Sequence, residues 1–172
     1  MAKRTPAGVF GKGQRGISAA GWAVRGAAAG AAGTTVLDAV TYLDMAVRGR
    51  GTSSTPEQTV AKLAETGHVP IPGEGDTRRN RLQGLGALTG IAAGVGVGVL
   101  AGLGRAAGFR PPAWLGGLAA GMVAMVGANG PMTVLGVTDP RTWSATDWVS
   151  DVVPHVAYGL VTHSTLAALD RA

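Results

Sequence analysis

Apolar positions fall in four long blocks, near residues 26–47, 82–104, 113–137 and 151–169, and charged or Pro-bearing stretches separate them. A bilayer core about 30 Å thick is crossed by about 20 predominantly apolar residues in a helix. Each block therefore predicts a membrane-crossing helix. The fold class expected is all-α, an integral membrane helical bundle of four spans with close Gly/Ala-rich packing. The first block is the weakest, being rich in Ala and Gly and carrying Asp38 and Asp44. A three-span arrangement with that block as a surface helix is the alternative. Residues 1–16 read as a flexible basic tail, and 17–172 as one membrane domain.

The second block carries Gly86, Gly90, Gly94, Gly98 and Gly102 at every fourth position. Residues so spaced line one side of a helix. Membrane helices use such small-residue stripes to bring backbones together. Gly117 and Gly121 repeat the spacing in the third block. A phosphate-binding reading fails: Gly94-Val95-Gly96 opens a dinucleotide fingerprint, but Val99 stands where the last glycine belongs, and no acid follows before Asp139. Nucleotide binding is set aside and no cofactor is expected. Asn129-Gly130-Pro131 should break or kink the third helix, since proline lacks a backbone donor and crowds the preceding turn. Pro154 is expected in the first turn of the fourth, where proline is tolerated.

The loop 48–81 carries a short helix of its own. Thr55-Pro56-Glu57-Gln58 reads as a capping box, Val60, Leu63 and Ala64 form an apolar face, and Gly67 ends the helix. The following "HVPIPGEGDTRRNR" reads as extended and turn-rich. Ser144 to Asp147 is a second capping box. Both capped helices are expected on the membrane surface. A faint repeat, "LAGLGRAA" at 100–107 and "LAALDRA" at 166–172, is compatible with a duplicated hairpin and equally with biased composition.

Charge adds partners to this picture. The net charge is +5 with no cysteine, which excludes disulfides and thiol chemistry. Lys3, Arg4, Lys12 and Arg15 precede the first block, and Arg78, Arg79 and Arg81 the second. Basic clusters beside spans fit anionic lipid headgroups. No aromatics are interleaved with them, so nucleic acid is not expected. A four-span count puts seven Lys+Arg on each side, with Arg25 the remainder, so the positive-inside rule ties. A cytoplasmic N-terminus in a bacterial plasma membrane is the expectation.

Four polar groups lie inside the blocks: Asp38, Asn129, His155 and His163. A mid-membrane carboxylate costs about 2.5–3.5 kcal/mol on insertion scales and seeks a partner or water. With antiparallel first and fourth spans, Asp38 is expected to contact His155 or His163. One acid and two imidazoles are also the parts of a proton relay. No nucleophile motif is present, and the histidines stand two turns apart, so neither an enzyme nor a metal site is expected.

The stretches "TDPRTWSATDWVSDVVPHVAYGLVTHSTLAAL" (138–169) and "GTTVLDAVTYLDMAVRGRGTSSTP" (33–56) resemble small, uncharacterised multispan membrane proteins of high-GC Gram-positive bacteria. The resemblance implies an integral membrane protein and no reaction or ligand. The expected function is a helix-packing subunit that assembles with itself or a larger complex. The alternative is a small proton- or ion-coupled transporter or channel using Asp38 with His155 and His163.

Overall fold

The structure is a computed structural model that describes residues 17–171; the expected tail and its Lys3, Arg4, Lys12 and Arg15 lie outside the described residues. Among the described residues the regular structure is helical throughout: α1 Ala19–Arg48, α2 Thr55–Thr66, α3 Gly75–Ala106, α4 Ala113–Val134 and α5 Ala145–Arg171, with a 3-10 turn at Pro140–Thr142. Helices satisfy every backbone donor and acceptor internally, which lipid demands. Three of them, α3, α4 and α5, are long and apolar enough to cross a membrane, which marks the chain as a membrane protein. α1 is not among the three. Its 30 residues span about 45 Å, but Ala, Gly and Thr replace most of the large aliphatics that make α3 to α5 apolar.

α1 packs lengthwise and antiparallel against both α3 and α5. Gly26 and Gly30 face Gly98 and Gly94 of α3, while Arg25 reaches Leu169 and Arg48 reaches Ser150 of α5. α4 packs on α5, and α3 and α4 touch far less. The buried core is small: Trp22, Ala29 and Leu166 cluster with Ala101 beside them. Large apolar side chains such as Leu88, Leu100, Trp114 and Met122 point outward. That inversion suits a lipid environment, where small residues make the helix contacts.

Several boundaries differ from the sequence reading. α3 starts at Gly75, so Arg78, Arg79 and Arg81 are helical and not extended. Acidic Glu74 and Asp76 favour a helix N-terminus there, and Arg79 bonds Asp76 at 2.6 Å. α5 is one helix from Ala145, so the second capped segment is not a separate surface helix. Its capping box forms: the Ser144 N–H donates to Asp147 at 2.9 Å, and the Asp147 N–H donates to Ser144 Oγ at 3.2 Å. Pro154 therefore lies inside the helix and not in its first turn. α4 continues through Pro131 to Val134, so Asn129-Gly130-Pro131 does not break it.

The box at Thr55 is replaced by a side-chain pair one residue earlier, Gln58 Nε2 donating to Ser54 Oγ at 2.8 Å. Val60 is buried, but Leu63 is exposed. Gly67 caps α2 in a right-handed conformation, and His68 makes the left-handed turn at φ 55°.

Candidate functional site

Among the described residues three polar constellations stand where helices meet. The middle one joins α1, α3 and α5. Tyr158 is fully buried, and its hydroxyl donates to the Gly94 carbonyl at 2.6 Å. The ring lies over Gly33, where a Cβ would come 2.8 Å from it. Thr34 Oγ1 faces Gly94 and donates to its own Gly30 carbonyl at 2.9 Å. An aromatic ring seated between two glycines, with its single donor on a backbone carbonyl, is a packing device.

The second constellation lies where α1 begins and α3 and α5 end. The Arg105 side chain is 8 % exposed and donates to Asp170 at 3.1 Å. Its Nη2 lies 3.4 Å from His163 Nε2. A guanidinium only donates, so a hydrogen bond there needs that ring nitrogen as its acceptor. Arg110 also bonds Asp170, at 3.0 Å, and Arg25 donates to the Leu169 carbonyl at 2.7 Å. Arg25 and Arg110 both lie over the Trp22 ring, 5.4 and 5.8 Å from its centroid. His163 sits in the notch left by Gly116. Beside this group a cavity of about 210 Å³ opens between α3 and α4.

The third lies at the opposite end of the bundle. Asn129 donates to Asp151 at 2.7 Å, and His155 Nδ1 donates to the Asp151 carbonyl at 2.7 Å. Asp44 is paired with Arg48 and Arg50 at 2.8 and 2.6 Å. In the connection between α4 and α5, hydrogen bonds from Arg141 hold the exposed Asp139 carboxyl below the usual carboxylate range. Trp143 and Trp148 pack edge to face there, 5.0 Å apart.

The expected Asp38–histidine contact does not form. Among the described residues no hydrogen bond or ion pair joins Asp38 to either imidazole: His155 is engaged by Asp151 and His163 by Arg105. α1 and α5 do touch along their length, but Asp38 lies on another side of α1 from the face that meets Tyr158 and Thr162. It is half-buried, one turn beyond the point where Thr34 meets Gly94.

The glycine stripe on α3 is divided among partners. Gly94, Gly98 and Gly102 meet α1, and Gly86 meets Pro56 of α2. Gly90 meets nothing within 4 Å. On α4, Gly117 faces Leu160 and Gly121 faces the His155 carbonyl. Sequence reasoning passed over the counterparts: Gly26, Gly30 and Gly33 on α1, Gly116 on α4 and Gly159 on α5. The spacing in "GAAAGAAG" signals the first three. Arg105, Asp170 and Tyr158 were also passed over. The closing repeat "GRAA" and "DRA" holds Arg105 and Asp170, but nothing local marks Tyr158.

Comparison with protein-family models, with curated proteins and with solved structures finds no match.

Proposed function

We propose that the protein is a four-span subunit of a bacterial plasma membrane assembly, with its N-terminus and the Arg105 end in the cytoplasm. The outward face of α1 is the surface that receives another helix, from a second copy or a larger complex. The lengthwise packing of α1 between α3 and α5 supports its crossing the membrane with them. A helix poor in large aliphatics is tolerable in lipid when proteins cover it. The bacterial placement follows the sequence resemblance, and the orientation follows Arg25, which reaches Leu169 at the Arg105 end and tips the otherwise equal Lys+Arg count to that side.

The observation that carries this reading is Asp38. It lies about 7 Å from the midpoint of α1, half-buried and joined to neither histidine. The exposed positions beside it and on the preceding turns are small, Ala31, Thr35 and Ala39, and the exposed Tyr42 follows one turn on. A carboxylate at that depth, among residues that allow close approach, fits a polar contact across a helix–helix interface. The carrier alternative needs Asp38 and the histidines to work together, and their separate partners give it no such support.

Cysteine cross-linking in native membranes tests the reading, helped by the absence of cysteine from the chain. Ala31→Cys and Thr35→Cys should cross-link to a partner, while Leu88→Cys, 61 % exposed on α3, should not. Asp38→Ala should reduce the cross-link several-fold and Asp44→Ala should leave it, because Asp44 is paired within the chain. No cross-link at Ala31 and Thr35, or equal yields at Leu88, would overturn the assembly face.

A further inference from the structure

We propose that the cleft between α3 and α4 holds one acyl chain of an anionic glycerophospholipid, with Arg105 and Arg110 facing its phosphate. The inference rests on the membrane placement above and assigns a ligand that the placement does not require. Three observations carry it.

The first is the cleft itself. α3 and α4 are neighbours in sequence, yet they make little contact, and a cavity of about 210 Å³ lies between them. Its walls are apolar along Val97, Leu100, Ala120 and Val123. From Val97 to Arg105 the cleft runs about 12 Å along α3, the depth of part of an acyl chain. Leu100 and Val123 are 62 % and 50 % exposed, so the cleft opens sideways to where lipid tails would lie.

The second is the charge at its mouth. Arg105 lines the cavity with its side chain more than nine-tenths buried. Two of its five N–H donors are engaged, one by Asp170 and one by His163, which leaves three for a ligand. Arg110 shares the same Asp170. Two guanidiniums around one carboxylate leave a net positive site, and an imidazole, being neutral or cationic, takes nothing from it. Arg25 and Arg171 belong to this end as well, and among the described residues there Asp170 is the one side-chain carboxylate. A buried cation beside an apolar cavity selects an amphiphile with an anionic head and an apolar tail.

The third is the level in the membrane. Arg105 lies in the last turn of α3, just before the 107–112 connection. A phosphate there is at headgroup depth while the attached chain descends along the cleft. A zwitterionic lipid carries a compensating ammonium that the two arginines repel, so the site discriminates by net charge. The exposed Arg78, Arg79 and Arg81 at the start of α3 do not line the cleft.

Native mass spectrometry of the full chain, extracted with mixed phosphatidylglycerol and phosphatidylcholine vesicles, tests the proposal. One phosphatidylglycerol should be retained in preference to phosphatidylcholine. Arg110→Gln should reduce that retention about five-fold, the effect of one cation near an anionic lipid. Ala120→Phe should reduce it at least as much by filling the cleft without changing charge. Arg105→Gln should abolish it, and Arg110 and Ala120 keep the test open if that variant fails to fold. Lys62→Gln, an exposed cation on α2 paired with Glu65, is the control and should change nothing. Equal retention of both lipids overturns the proposal, as does unchanged retention in Ala120→Phe. Retention of oleate without phosphatidylglycerol overturns the glycerophospholipid assignment. Recovery of the chain as a soluble species without detergent would refute the membrane placement itself, a result separate from lipid-blind binding by a membrane-embedded chain.

Discussion

The seam between α1 and α3 and the seam between α4 and α5 use glycine differently. In the first, glycines lie on both helices and meet backbone. A Cβ at Gly98 would come 2.6 Å from the Cα and N of Gly30, and one at Gly30 would come 2.6 Å from the Gly94 carbonyl. In the second, α5 contributes one glycine, Gly159, meets Gly121 with the His155 carbonyl, and fills the Gly116 and Gly117 notches with side chains. Gly117 meets the Leu160 tip at 2.7 Å, and Gly116 meets the His163 ring. Backbone has no rotamer by which to yield, whereas a leucine tip does. Equal glycine spacing on α3 and α4 therefore gives a rigid seam where Gly26, Gly30 and Gly98 meet backbone and a second seam that can yield at Gly116 and Gly117, and the partner helix makes the difference.

Substitutions along the seams should rank by what the new methyl meets. Gly98→Ala carries the largest expected effect, about 3 kcal/mol, the upper part of the overpacking range, because backbone lies on the facing side. Unfolding in mixed micelles would measure it, and a loss below that of Gly117→Ala would contradict the rigid-seam account. Gly121→Ala is the harder test of the second seam. Its Cβ would meet the His155 carbonyl at 2.6 Å, so this one position should cost about 2 kcal/mol despite belonging to the adaptable side.

Tyr158→Phe keeps the ring between Gly33 and Gly94 and removes the donor to the Gly94 carbonyl. The loss should be about 1 kcal/mol, the net value of one hydrogen bond. A change several-fold larger in thermal stability would mean that the hydroxyl, and not the ring, holds the three helices together. Smallest of all, Gly90→Ala should move stability by no more than about 0.5 kcal/mol, since no atom lies within 4 Å of its would-be Cβ. A large loss there would show that a helix outside the chain packs on Gly90.

The sequence by itself determined the three apolar helices, the Ser144–Asp147 cap and the presence of grooves on α3 and α4. These follow from local properties. Twenty apolar residues in lipid must close their own hydrogen bonds, and glycine every fourth residue leaves a notch whatever stands opposite. It did not reveal that α3 begins at Gly75 or that α5 runs unbroken from Ala145, because charged and Pro-bearing stretches resemble loops until a neighbour packs on them. Gly90 shows the limit of the stripe: its spacing equals that of Gly94, but a stripe of period four drifts around a helix of 3.6 residues per turn, and no single partner follows it throughout. Tertiary structure alone decided which helix fills each notch, that His163 faces Arg105 and His155 faces Asp151, and that Asp38 faces neither histidine. Those choices depend on the register between helices far apart in the chain. Register is set by the sum of many close contacts, which no single segment of sequence contains.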